Sequence, residues 1–148
     1  MKRILLIDDS PMALSMLSDA LVDRYEVVTA ASGEEAIEIL ETDAADADKS
    51  IKIKQFSVIV TDLRMPGMSG LDVADRVKQM NRYHRFTPVL LLTGEEITKE
   101  EARAHGCASL VSKENSERIV SMIHILLGGE EARSATVIRK REEDKKVN

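Results

Sequence analysis

The sequence predicts an α/β domain of five strands alternating with five helices, (βα)5, with a parallel sheet covered by helices on both faces. Three observations predict it. Five short apolar runs recur along the 148 residues: Ile4 to Ile7, Tyr25 to Ala30, Ser57 to Thr61, Val89 to Leu92 and Leu110 to Ser112. Ile, Val and Leu fill most of them without polar alternation, as in strands buried on both faces. A helical pattern follows each run, and right-handed crossovers then leave few arrangements other than a parallel sheet.

The elements follow in chain order. After the first run, Ser10 caps a helix that Pro11 opens, and Leu14, Leu17 and Leu21 recur at helical spacing. After the second, Ser32 and Glu35 form a capping box ahead of Ala36, Ile37 and Leu40. The third run ends on Asp62 and a Pro66-Gly67 loop, before a stripe of Leu71, Ala74 and Val77. The fourth leads to a second capping box, Thr98 with Glu101, and a short helix that Gly106 stops. A broad stripe of Ile119, Val120, Ile123, Leu126 and Leu127 closes the series, ended by Gly128-Gly129. Five such units favour the flavodoxin-like strand order 2-1-3-4-5.

Two segments fall outside this pattern. Residues 42–55, acids followed by lysines, read as an inserted charged loop, and residues 130–148 as a mixed-charge tail. Both are expected to be solvated surface or disorder, as charge-rich segments generally are. The domain proper is therefore 1–129.

Composition removes several function classes. A 148-residue chain needs no staples, because a domain of that size buries roughly 68–70% of its unfolded surface. Its single cysteine, Cys107, cannot form an internal disulfide, and no stretch has the pattern of a secretory leader, so a cytoplasmic protein is expected. No apolar run approaches the ~18 residues of a membrane span. A net charge of −5 with two Tyr, two Phe and no Trp offers neither a basic footprint nor a stacking platform for nucleic acid.

In a parallel α/β sheet, ligands bind beyond the carboxyl ends of the strands, near the point where strand order reverses. The residues there are Asp8 and Asp9 after strand 1, Asp62 at strand 3, Thr93 at strand 4 and Lys113 after strand 5. Singly, each has an ordinary structural explanation as a cap, a turn residue or an exposed charge. Together, three close carboxylates repel unless a cation or a lysine offsets them. All-oxygen ligands beside an expected phosphate suit Mg²⁺ better than calcium or zinc. One carboxylate can then act as nucleophile toward phosphorus, with Thr93 and Lys113 donating to the phosphoryl oxygens.

The segments "ILLIDDSP", "ASGEEAIEIL", "VIVTDLRMPGMSG", "VLLLTG" and "LVSK" resemble, in order and spacing, the signature segments of response-regulator receiver domains of two-component signalling. The match runs from Lys2 to Leu127. The resemblance implies that Asp62 accepts a phosphoryl group from a histidine kinase or histidine phosphotransfer protein. It implies that Asp8, Asp9, Asp62 and the backbone carbonyl of Arg64 hold Mg²⁺, that Thr93 follows the phosphoryl group and that Lys113 pairs with it. The phosphorylated state would alter binding to an output protein, with no direct contact to nucleic acid or membrane and no turnover chemistry. Leu110 stands where members usually carry an aromatic residue, and Glu114 where they usually carry proline after the lysine. A trans bond is therefore expected between Lys113 and Glu114, since cis before a non-proline residue costs ~2.5–4 kcal/mol.

Two other readings stand beside it. A receiver that signals by docking without phosphorylation is one. A phosphatase of the haloacid-dehalogenase type is the other, but it needs a second acid two residues after its nucleophile. Arg64 follows Asp62 at that spacing, and Ser10 follows Asp8. His84, His105 and His124 lack metal-ligand spacing and read as ordinary surface or partly buried residues.

Overall fold

The structure, a computed structural model, describes residues 1–49, 55–80 and 83–128. Its elements are β1 (Lys2–Ile7), α1 (Pro11–Leu21), β2 (Tyr25–Ala30), α2 (Gly33–Asp48), β3 (Phe56–Asp62), α3 (Gly70–Gln79), β4 (Val89–Thr93), α4 (Lys99–Ala104), β5 (Ser109–Ser112) and α5 (Ser116–Leu127). The strands form one parallel sheet in the order β2-β1-β3-β4-β5.

Period-2 alternation sends successive strand residues to opposite faces. Ile4 and Leu6 of β1 join Val58, Val60, Leu90 and Leu92 in a core closed by Leu17 and Leu21 of α1 and Ile119 and Ile123 of α5. Leu5, Ile7, Ile59 and Leu91 face the other way, against Ile37 and Leu40 of α2 and Val73 and Val77 of α3. Each fully buried Leu or Ile contributes about 1.5–3 kcal/mol relative to exposure. The sheet is thus held between two helical layers, and its strand ends are fixed in space.

The caps were only partly legible. Ser10 accepts from the Ala13 N–H at 3.2 Å with Pro11 opening α1, as expected. Ser32 accepts from Glu35 N–H, but the Glu35 carboxylate reaches the N–H of Ala31 rather than that of the cap residue. The complete capping box is Ser69 with Asp72 at the start of α3, where Ser69 Oγ takes the Asp72 N–H and Asp72 takes the Ser69 N–H.

One boundary differs. α2 continues to Asp48, so residues 42–48 are helix and not the start of a charged loop. Ala44 is buried on its inner face, alanine is the best helix former, and Asp43 reaches back to Arg3 at 2.6 Å, so charge there does not mean solvated coil. The rest of that segment, 50–54, and the tail from 129 lie outside the described residues. His84 also departs from its reading: it is fully buried, with Nε2 donating to the Leu40 carbonyl at 2.9 Å. His105 meets Asp75 at 2.9 Å and His124 meets the Tyr25 hydroxyl at 2.7 Å.

Candidate functional site

Strand order reverses between β1 and β3, because β1 is followed by β2 on one side and pairs with β3 on the other. Residues emerging there occupy the crevice that the topology leaves open. Main-chain bonds fix each one. The Asp8 N–H donates to Ala30 O at 3.1 Å, Leu63 N–H to Leu92 O at 2.8 Å, and Lys113 N–H to Thr93 O at 3.0 Å. Ile7 is in register with Thr61, and Leu92 with Asp62, so Asp8, Asp62 and Thr93 lie at adjacent strand ends.

Asp8, Asp9 and Asp62 each offer a carboxylate oxygen within 4.8 Å of the others. Asp8 is 2% and Asp62 5% exposed, while Asp9 faces solvent. Lys113 Nζ donates to Asp62 Oδ2 at 2.9 Å and lies 3.1 Å from Asp8 Oδ2. That Asp8 oxygen is within ion-pair distance but accepts no hydrogen bond of good geometry among the described residues, whereas Asp8 Oδ1 takes the Ser10 N–H at 2.9 Å.

The electrostatics are lopsided. Burial pushes the Asp62 carboxyl above its ordinary 3.8; the Lys113 hydrogen bond pulls it down, and the charges of Asp8 and Asp9 push it up again. Burial alone would lower Lys113, but its bonds to Asp62 and Asp8 outweigh this and raise it above 10.5. One ammonium cannot satisfy three carboxylates. A buried Asp8 oxygen that accepts no hydrogen bond among the described residues, in an all-oxygen cluster, fits a hard divalent cation.

Thr93 lies at the neighbouring strand end, 6% exposed, but its hydroxyl is turned to its own loop. Thr93 Oγ1 accepts from the Glu95 N–H at 3.0 Å and lies 3.3 Å from Glu95 O. The structure thus brings Asp8, Asp9, Asp62 and Lys113 together and leaves the Thr93 hydroxyl engaged elsewhere. The Lys113–Glu114 bond is trans, like every described peptide bond.

Three residues that shape the site were missed from sequence. Glu34, in the first turn of α2, accepts from Met68 N–H at 3.0 Å and so pins the loop after Asp62. A Cβ on Gly70 would stand 2.3 Å from the Asp62 carbonyl oxygen, so only glycine lets α3 start that close. Glu95 holds Arg64 by a bidentate ion pair. Gly70 had a readable signal in its place after the Pro-Gly turn; Glu34 and Glu95 look like ordinary surface acids.

Comparison with known proteins agrees with this fold. The chain is 28% identical over 150 residues to the two-component response regulator ARR7 of Arabidopsis thaliana, covering 96% of this chain and 72% of that protein. Two other curated relatives are longer, and the chain spans only 20% of one and 45% of the other. Among solved structures, the chemotaxis protein CheY4 of Vibrio cholerae is 34% identical with a TM-score of 0.70, covering 86% of this chain and 99% of that one. The response regulator TrrA of Thermotoga maritima, solved in complex with Mg²⁺-BeF, is 27% identical with a TM-score of 0.68, covering 86% of this chain and 100% of that one. No described helix is long and apolar enough to cross a membrane. The description "response regulator receiver domain" matches residues 4–124, and the chain belongs to that family of signalling domains.

Proposed function

We propose that the protein is a phosphorelay response regulator in which Asp62 takes a phosphoryl group from a phosphohistidine of a kinase or phosphotransfer protein in the cytoplasm. The observation that carries this reading is the position of the Asp62 carboxylate, at the switch point, 2.9 Å from Lys113 and within reach of two further acids. Asp62 Oδ attacks phosphorus; the P–N bond breaks as the P–O bond forms, and the imidazole nitrogen keeps the electron pair and takes up a proton. Lys113 favours the ionised carboxylate before transfer and pairs with the phosphoryl oxygens after it. Thr93 donates its hydroxyl to another of those oxygens.

Asp8, Asp9 and Asp62, with the Arg64 backbone carbonyl, would hold Mg²⁺. When bound, the ion offsets the charge of the carboxylates and of the transferring group. TrrA, the relative solved with Mg²⁺-BeF, supports that assignment. An apolar cavity of about 440 Å³ between α1 and α5 opens beside Asp8 and Lys113, and exposed Met12 and Met16 lie on α1 next to it. It gives a protein donor a surface to approach. The phosphorylated form then acts by changed affinity for an output protein.

The test is intact-mass measurement after incubation with acetyl phosphate and Mg²⁺. The protein should gain one phosphoryl increment and Asp62→Asn none. A full increment on the Asn variant contradicts the assignment.

A further inference from the structure

We propose that Arg64 and Glu95 form a latch that holds the Thr93 hydroxyl away from Asp62 in the unphosphorylated protein, and that a phosphoryl group on Asp62 opens it by drawing Arg64 away. This rests on Asp62 being the phosphoacceptor.

The latch joins the two loops that leave neighbouring strand ends. Arg64 lies two residues beyond Asp62 and Glu95 two beyond Thr93, and Asp62 pairs in register with Leu92. Arg64 Nε donates to both Glu95 oxygens at 3.0 Å and Nη2 to Oε2 at 2.7 Å. This fork geometry is the more specific form of an arginine–carboxylate contact. Glu95 therefore works at both ends: its side chain is held by Arg64, and its backbone holds Thr93.

A hydroxyl has one proton. With Oγ1 accepting from the Glu95 N–H at 3.0 Å and donating to Glu95 O at 3.3 Å, the Thr93 proton is committed to its own loop. Donating to a phosphoryl oxygen on Asp62 requires that proton to leave Glu95 O, and the Arg64 grip on the Glu95 side chain holds the residue that keeps it.

The grip is suited to release. The Arg64 and Glu95 side chains are 72% and 51% exposed, and pairs in water are weak and screened by salt. A phosphoryl group brings about −1.5 to −2 charges and three strong acceptors to within two residues of Arg64. It competes for the guanidinium, frees Glu95, and lets the Thr93 hydroxyl swing inward.

The test uses the full chain and Glu95→Gln, which removes the ion pair and leaves the Glu95 backbone. Methyl NMR of Thr93 without any phosphodonor reads the turn directly. Glu95→Gln and Arg64→Gln should move the Thr93 resonance in the same direction, and 1 M NaCl should move wild type likewise while leaving both variants in place. An unmoved Thr93 in both variants overturns the latch, whether or not Asp62 takes a phosphoryl group. The acetyl phosphate reaction then reads the coupling. Glu95→Gln should accept phosphoryl roughly two- to five-fold faster, the factor an exposed ion pair supplies. A shifted Thr93 with an unchanged rate overturns the coupling alone. A shifted Thr93 in a wild-type protein that takes no phosphoryl group locates the failure in Asp62 and removes the opening step with it.

Discussion

The two ends of the same sheet treat charge in opposite ways. At the amino end, Arg3 stands 2.6 Å from Asp43, 3.8 Å from Glu26 and 4.1 Å from the centroid of the Phe56 ring, so a half-buried guanidinium is matched on every side. At the carboxyl end, three carboxylates share one lysine, and among the described residues a buried oxygen of Asp8 accepts no hydrogen bond. Both ends sit on the same strands and the same two cores. They differ in what their charges are for. The amino end holds the fold together, while the carboxyl end keeps a deficit of positive charge that a divalent cation can offset. Local rules are broken where function needs them broken.

Removing Arg3 should expose the asymmetry most strongly. Arg3→Met leaves Asp43 buried without its cation, and because the two side chains are only 15% and 9% exposed, the loss should be about 2–4 kcal/mol, near that of a broken buried pair. Urea unfolding measures it. A loss below that of an ordinary surface pair would put the two ends on the same footing.

Adding a divalent ion should act at the other end. At 100 times its dissociation constant, Mg²⁺ should stabilise the fold by about 2.7 kcal/mol. Asp9→Ala should abolish most of that gain, and Arg3→Met should keep all of it, since well-separated sites add. Thermal melts with and without MgCl2 check both. An undiminished gain in Asp9→Ala would move the ion away from the carboxyl end.

His84 gives the amino end its own pH dependence. Burial lowers its pKa below 6.5, the Leu40 carbonyl opposes the shift, and Nδ1 has no hydrogen-bond partner among the described residues. The folded state binds this proton less readily than the unfolded chain. Stability should therefore fall as pH drops below 6.5, with a slope of at most ~1.4 kcal/mol per pH unit from one proton. His84→Gln should flatten that slope.

Asp62→Asn should have the smallest effect on stability. Because the folded carboxyl sits above 3.8, its ionised form opposes folding at neutral pH, and metal-free wild type should gain stability as pH falls through the raised value. Neutralising Asp62 should raise stability by no more than ~1 kcal/mol, a typical net worth for one hydrogen bond or exposed ion pair. A loss of several kcal/mol would make Asp62 a structural residue like Asp43.

Much of this contrast could be read from the sequence, and the rest could not for physical reasons. Uninterrupted Ile, Val and Leu runs marked the strands because a twice-covered strand has no polar face. Asp8, Asp9, Asp62, Thr93 and Lys113 stood out because strand ends converge in any parallel sheet. The Arg3–Asp43 pair was invisible, since 40 residues separate its members and only the packing of α2 against the sheet brings them together. The same packing turned Asp43 and its neighbours from an expected loop into helix. Buried His84 carried no signal either, because a lone histidine reads alike in core and on surface. The bonds that tie the Thr93 hydroxyl to the Glu95 backbone carried no signal, because they depend on local loop geometry that residue spacing does not encode.

If Asp62 at the carboxyl end carries an acyl phosphate, that bond can be trapped. Borohydride reduction of the acetyl phosphate-treated protein, followed by peptide mapping, tests it at the level of the atom. The predicted result is homoserine at position 62 and at no other aspartate, since hydride reduces an acyl phosphate and leaves a free carboxylate intact. Homoserine at position 8 or 9 with aspartate retained at 62 would contradict it.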